Sequence, residues 1–208
     1  MRAANTAEQA LTIVERAFCA IANVGNFTIK IKGELSYFEV RLNIINSGRT
    51  AAINYMARAN VVAIEVVPEN FRFADYPNNN PPVFSVIAPQ SGVYIPARIA
   101  IQDAAAAHAR RKRILIYGWF EYNDLFEGSQ RHRGEFGMEL EFFSDPHVIP
   151  EIISGNPNII NAFNIIPYRG YNNYDDNCLY KPGTTSIANI GELPEPTIPP
   201  GVTIIGRP

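Results

Sequence analysis

The chain has 208 residues, 47% hydrophobic and 18% charged, with a formal net charge of −2 at pH 7. That composition excludes a collagen-like or wholly disordered chain, and its slight acidity argues against a DNA-coating protein. Two cysteines cannot make a disulfide-dense scaffold, and no apolar run reaches the ~18 residues of a membrane span. The residues after Met1 also lack the pattern of a signal peptide, so these features predict a soluble chain of one domain with an appendage.

Residues 1–18 read as a helical spacer. Thr6 and Gln9 fit a capping box, and Ala7, Ala10, Leu11, Val14 and Phe18 recur at helical spacing. A helix this short is marginal alone. The first strand begins near Cys19 and opens a β domain over 19–143. Phe38, Val40, Leu42 and Ile44 alternate with Glu39, Arg41 and Asn43, the pattern of a half-buried strand. Asn46-Ser47-Gly48 ends that strand with turn chemistry, in which Gly48 is free to take a positive φ. A β-branched stretch follows from Ile53 to Val67, then a Pro- and Asn-rich loop from Pro68 to Pro82. Val83 to Ile87 and Val93 to Ile101 form two shorter strands around a turn, and Asp103 to Ala109 form an Ala-rich turn of helix. Arg113 to Tyr122 reads as a buried strand carrying the single Trp119. In the last strand Phe136, Met138, Leu140 and Phe142 alternate with glutamates. About seven strands with frequent turns predict an all-β, two-sheet sandwich. Its core should hold Phe38, Val40, Leu42, Ile44, Ile116, Phe120, Phe136, Met138 and Leu140.

Residues 144–208 differ in character. They hold ten of the 16 prolines, six acids and three bases. The segment reads as an extended arm rather than a plain linker, because Ile159, Ile160, Phe163, Tyr168, Tyr171, Tyr174 and Tyr180 are too apolar for a disordered tail. Two readings stand: the arm packs on its own domain, or it wraps another chain. These seven residues are the candidate interface, since aromatic rings supply contact area and hydroxyls supply hydrogen bonds.

Candidate chemistry is sparse. The chain has no nucleophile elbow, zinc-helix motif, phosphate loop or dinucleotide fingerprint. His108, His132 and His147 fall on different loops and read as solvated surface residues, not meeting a carboxylate pair or one another. Asp175-Asp176-Asn177 lacks the alternating spacing of a calcium loop and reads as a solvated turn. Cys19 and Cys178 are a candidate disulfide that would staple the arm to the first strand; the other reading is two unrelated thiols. Arg110-Arg111-Lys112-Arg113 closes a short helix, where cations favour the C-terminal dipole, or meets lipid headgroups or an acidic partner. No catalytic residue, metal or cofactor is expected.

Three stretches carry a resemblance: Asn46-Ser47-Gly48-Arg49-Thr50-Ala51-Ala52-Ile53-Asn54, Ile87-Ala88-Pro89-Gln90-Ser91, and Tyr117-Gly118-Trp119-Phe120-Glu121-Tyr122-Asn123-Asp124-Leu125-Phe126. Together they resemble a group of uncharacterised proteobacterial proteins with a membrane anchor, a helical spacer and an immunoglobulin-like sandwich. Ala51 stands where that pattern usually has Pro, and Gln90 where it usually has Gly. The sequence shows no membrane anchor ahead of the spacer, so the expectation is that it starts internally or that its anchor was lost, and the long arm is unlike a typical member. The resemblance implies an immunoglobulin-like fold, no enzymatic activity and a place in the bacterial cell envelope. The expected function is a structural or protein–protein interaction module, an accessory subunit of a membrane assembly that binds other protein chains and no nucleic acid, with peripheral membrane contact open. The alternative is a small-ligand or carbohydrate-binding module using Tyr37, Tyr117 and Trp119 as exposed aromatics.

Overall fold

A computed structural model describes residues 15–31, 34–69, 71, 73–75, 82–126, 128–142, 163–168, 171–178 and 202–204. The described elements are, in chain order, β1 (Cys19–Ile31), β2 (Glu34–Asn46), β3 (Ala52–Ile64), β4 (Val83–Ile87), β5 (Gly92–Ala100), α1 (Ile101–His108), β6 (Arg113–Asn123), β7 (His132–Phe142), β8 (Phe163–Pro167), β9 (Asn173–Tyr174) and β10 (Val202–Ile204). Glu15 is helical; Arg16, Ala17 and Phe18, expected in the same helix, are not, and residues 1–14 lie outside the described residues.

The strands form two antiparallel sheets. The smaller has the order β1-β2-β5; the larger has the order β10-β3-β6-β7-β8, with β4 also on β3 and β9 also on β7. The chain crosses between sheets after β2, returns after β4, and crosses again through α1. This distribution of hairpins and crossings is that of an immunoglobulin-like sandwich. Alternation in the sequence decides which side chains face inward. Phe38, Val40, Leu42 and Ile44 of β2 meet Ala57, Ala59, Val61 and Ala63 of β3, Ile114, Ile116 and Phe120 of β6, and Phe136, Met138 and Leu140 of β7. All nine expected core residues are buried in this layer.

The outer face of the larger sheet is buried as well. Val62, Ile64, Leu115, Tyr117 and Tyr171 form a second apolar cluster, closed over by Val67, Phe71, Phe73 and Tyr168. Phe73 stacks flat on Tyr171 at 4.0 Å and meets Tyr117 edge-on at 5.3 Å. A strand buried on both faces reads as a continuous apolar run, which explains Ile114 to Phe120.

The domain boundary drawn at residue 143 is corrected by β8 and β9. β8 pairs with β7 from Phe142↔Phe163 to Met138↔Pro167, and β9 pairs with Glu135 and Gly134. Phe163 sits edge-on to Phe38 at 5.7 Å inside the core. Proline bars a central strand but not an edge strand, and β8 is the edge of its sheet, ending on Pro167. Phe163 and Tyr171 of the arm are therefore buried in their own domain, while Ile165, Ile166 and Tyr174 stay exposed.

Candidate functional site

The first and third motif stretches converge on the backbone of residues 17–19 where the chain enters β1, and the second braces the Asn46–Gly48 turn from behind. Asn46 is buried in the turn after β2. Its Oδ1 accepts the N–H groups of Phe18 and Gly48, each at 3.0 Å. Its Nδ2 donates to the carbonyls of Thr50 and Ile87 at 2.7 and 3.2 Å. Ser47 N–H donates to the Phe18 carbonyl at 2.8 Å. From the end of β6, Asp124 Oδ1 accepts the Ala17 N–H at 2.9 Å. The Tyr122 hydroxyl lies 3.4 Å from both the Cys19 nitrogen and the Ala17 oxygen. A buried backbone group needs such partners, and this socket supplies them from two places, the end of β2 with its turn and the end of β6.

Two details of the motifs differ from expectation. Gly48 does not hold a positive φ; among the described glycines only Gly128 does. What requires glycine at 48 is close approach, because a Cβ there would lie 2.2 Å from the Arg16 carbonyl oxygen. Gln90 takes the left-handed conformation instead, with φ +57. Its Nε2 donates to the carbonyls of Ser47 and Gly48 at 2.8 and 3.3 Å.

Beside the socket lies His132, at the start of β7. It is not a solvated surface residue: its side chain is 13% exposed and sits between two carboxylates. Nε2 is 2.8 Å from Asp124 Oδ2, and Nδ1 is 3.0 Å from Asp175 Oδ2. The expectation that no histidine meets a carboxylate pair is thus overturned for His132. Asp175, expected in a solvated turn, begins a 3-10 turn and also accepts the Arg133 N–H at 2.9 Å. The Asp175 hydrogen bond, joined by that of Asp124, outweighs burial and raises the His132 pKa above its ordinary value. Burial alone would raise Asp175, but its bonds to His132 and to the Arg133 amide hold its pKa below the usual carboxylate range.

A charged row crosses the outer face of the larger sheet. Arg58, Trp119 and Glu135 are register neighbours on β3, β6 and β7, as are Met56, Glu121 and Arg133. Arg133 donates to Glu121 at 2.6 Å and to Glu135 at 3.1 Å, with all three side chains buried. Arg131 reaches the other Glu121 oxygen at 2.7 Å. The Arg133 guanidinium also lies 4.9 Å from the Trp119 ring centroid, a cation–π distance. Asp75, in the loop before β4, accepts from Trp119 Nε1 and Asn60 Nδ2, both at 2.8 Å, with Arg58 Nε at 3.9 Å. Every acid here is turned toward a base or donor of the same fold. Such pairing holds covering segments in register and leaves no carboxylate set aimed at a common substrate position.

The other candidates fall as follows. Tyr171 is 1% exposed and belongs to the second core, and Phe163 belongs to the first, so neither presents an interface. Tyr168 is half-buried against Phe73. Tyr174 keeps an exposed face and stacks on Phe18 at 6.2 Å. Ile159, Ile160, Tyr180 and His147 lie outside the described residues. Cys19 and Cys178 are free thiols rather than a disulfide. Cys19 packs in the inter-sheet core, while Cys178 sits against the Arg133 carbonyl at 3.5 Å. Burial, with Asp124 beside Cys19 and Glu135 beside Cys178, pushes both thiols up to about 12, so both are unreactive near neutrality. In the basic run, Lys112 pairs with Asp103 and Arg113 with Glu139, tying α1 and β7. Trp119, at 2% exposure, and Tyr117 are buried under the covering loops, which removes them as a ligand platform.

Among the described residues no group of three or more His, Cys, Asp and Glu side chains is arranged to hold a metal ion. No described helix is long and apolar enough to cross a membrane. No protein-family model, curated protein or solved structure matches the chain.

Proposed function

We propose that the chain is a non-catalytic interaction module, an accessory subunit held in a membrane assembly of the bacterial envelope through the segment that leads into β1. The observation that carries this reading is the socket. Asn46, Tyr122 and Asp124 spend their polar groups on the backbone of residues 17–19, which is where a tether would transmit load to the sandwich. The acids and bases nearby are bonded to one another, as suits a rigid module rather than a reaction centre. The membrane setting rests on the resemblance of the three motif stretches.

Fractionating cells that produce the full chain with a C-terminal tag tests this reading. The module should sediment with membranes and leave them under mild detergent as part of a complex larger than its own 23.1 kDa. A chain recovered wholly in the soluble fraction at its own mass would overturn the proposal.

A further inference from the structure

Asp124 and Asp175 approach one imidazole from places 51 residues apart in sequence. Asp124 also grips Ala17 in the socket, and Asp175 also holds the start of β7 through the Arg133 amide. The segment that Asp124 grips and the one that carries Asp175 touch directly where Tyr174 stacks on Phe18. We propose that His132 is a protonation-operated clasp, which locks the 172–178 segment against the socket and β7 when charged and loosens it when neutral.

The geometry requires the charge. A neutral imidazole donates from one nitrogen only, so its other nitrogen would face a carboxylate with lone pair toward lone pair. Both contacts are favourable only when both nitrogens carry protons. The groups packed on the ring are Tyr122 of β6, Asp124 just past its end and Asp175 of the 3-10 turn; Arg16 acts on Asp175 and Cys19 on Tyr122, and Arg131 and Arg133 are the ring's neighbours along the chain. Arg131 and Arg133 are committed to Glu121 and Glu135. Burial raises Tyr122 and Cys19, so both stay neutral near pH 7. The two aspartates remain to set the imidazole's charge.

Asp175 is the element that can give way. Its φ of +47 is a left-handed conformation that a side-chain-bearing residue adopts at a cost. The His132 and Arg133 bonds hold it there, and its carbonyl accepts the Cys178 N–H at 3.0 Å. The sign follows from the two directions. His132 is raised in the fold, so its contribution is complete below the unfolded value and is lost as pH rises through the folded pKa. Asp175 is lowered, so its contribution is complete above the unfolded value and is lost as pH falls through its folded pKa. The clasp is closed between those limits.

Hydrogen exchange of the full chain between pH 6 and 9.5, corrected for intrinsic base catalysis, tests this alongside the ring-nitrogen NMR shifts of His132. Both ring nitrogens should show imidazolium shifts at pH 6 and titrate above 6.5. Opening of the 171–178 peptide should rise with the same midpoint, by about tenfold for each unit by which the folded pKa exceeds the unfolded one. β2 and β3 should stay protected. His132→Gln should leave the peptide open at every pH. If that variant does not fold, Asp175→Asn, at a side chain 45% exposed, should open the peptide and lower the His132 midpoint. A ring titrating at or below 6.5, or opening that stays flat across the ring's titration, would overturn the clasp.

Discussion

Phe120 and Glu121 are neighbours on β6, both buried, and point to opposite faces of the same sheet. On the inner face Phe120 packs among Ala, Val, Ile and Phe side chains and lies over Gly134. On the outer face Glu121 is held by Arg131 and Arg133 beneath the covering loops. The inner layer is held by shape, which any apolar residue of similar size roughly satisfies. Around Glu121 the outer layer is held by partners, and losing one partner strands a charge. Two faces of equal burial therefore tolerate different changes.

The largest effects come from breaking each face at these neighbours. Phe120→Ala should cost about 3–5 kcal/mol by leaving a cavity. Glu121→Ala should cost about as much by removing the closest carboxylate of a buried arginine. A combined substitution separates the two mechanisms. Glu121→Met, Arg133→Met and Glu135→Met together should recover most of the Glu121→Ala loss, because Arg133 pairs with both buried acids and apolar replacement of a whole buried triad is often neutral. No second change on the inner face should rescue Phe120→Ala so fully. Urea denaturation followed by circular dichroism reads them all, and a triple variant no better than Glu121→Ala would show that this row is also held by shape.

The next effect is at Trp119, where the outer face keeps a hydrogen bond to a carboxylate in a covering loop. Trp119→Phe keeps one aromatic ring but loses the pyrrole portion with its bond to Asp75, so it should cost about 1.5–3 kcal/mol for the bond and more for the volume left empty. Circular dichroism is again the measure, since Trp119 is the single tryptophan. A cost near zero would mean that Asn60 and Arg58 hold Asp75 without it.

The same contrast explains what could be read in advance. Alternation on β2 and β7 names the inner face because period-2 burial depends only on local sequence. The outer face was not legible. Asp75 lies in a stretch that reads as a plain loop, and Tyr171, like Phe163 of the inner core, lies in an arm whose prolines suggest exclusion from a sheet. Their apolar character was legible, but not that their partner is the domain itself, because an edge strand admits proline where a central one does not. His132 was hidden for a related reason: Arg131 and Arg133 make it look solvated, while one of its acids lies 43 residues away. The signal that existed was hairpin arithmetic. Tyr122 pairs with His132 across β6 and β7, which sets Asp124 just beyond the hairpin pair. In the socket, the turn chemistry of Asn46 was legible, but not its grip on Phe18, 28 residues earlier.

The smallest effect tests whether a polar clamp weakens as it becomes exposed. Gln90 is exposed, unlike Glu121, yet it also bridges two carbonyls of the socket turn. Two terms oppose each other there. The left-handed φ costs a non-glycine residue about 1 kcal/mol, and each side-chain bond returns about 0.5–1.5 kcal/mol at most when water competes. Gln90→Ala keeps the strain and loses the bonds, so it should be destabilised by about 1 kcal/mol. Gln90→Gly loses the bonds and the strain together and should lie within about 0.5 kcal/mol of the parent. For a chain of this size the Ala variant should melt about 2–4 °C lower than the Gly variant. Equal melting of Ala and Gly would mean the turn relaxes away from φ +57 when the amide is removed, so that the Gln90 bonds, rather than the chain around them, hold the left-handed turn.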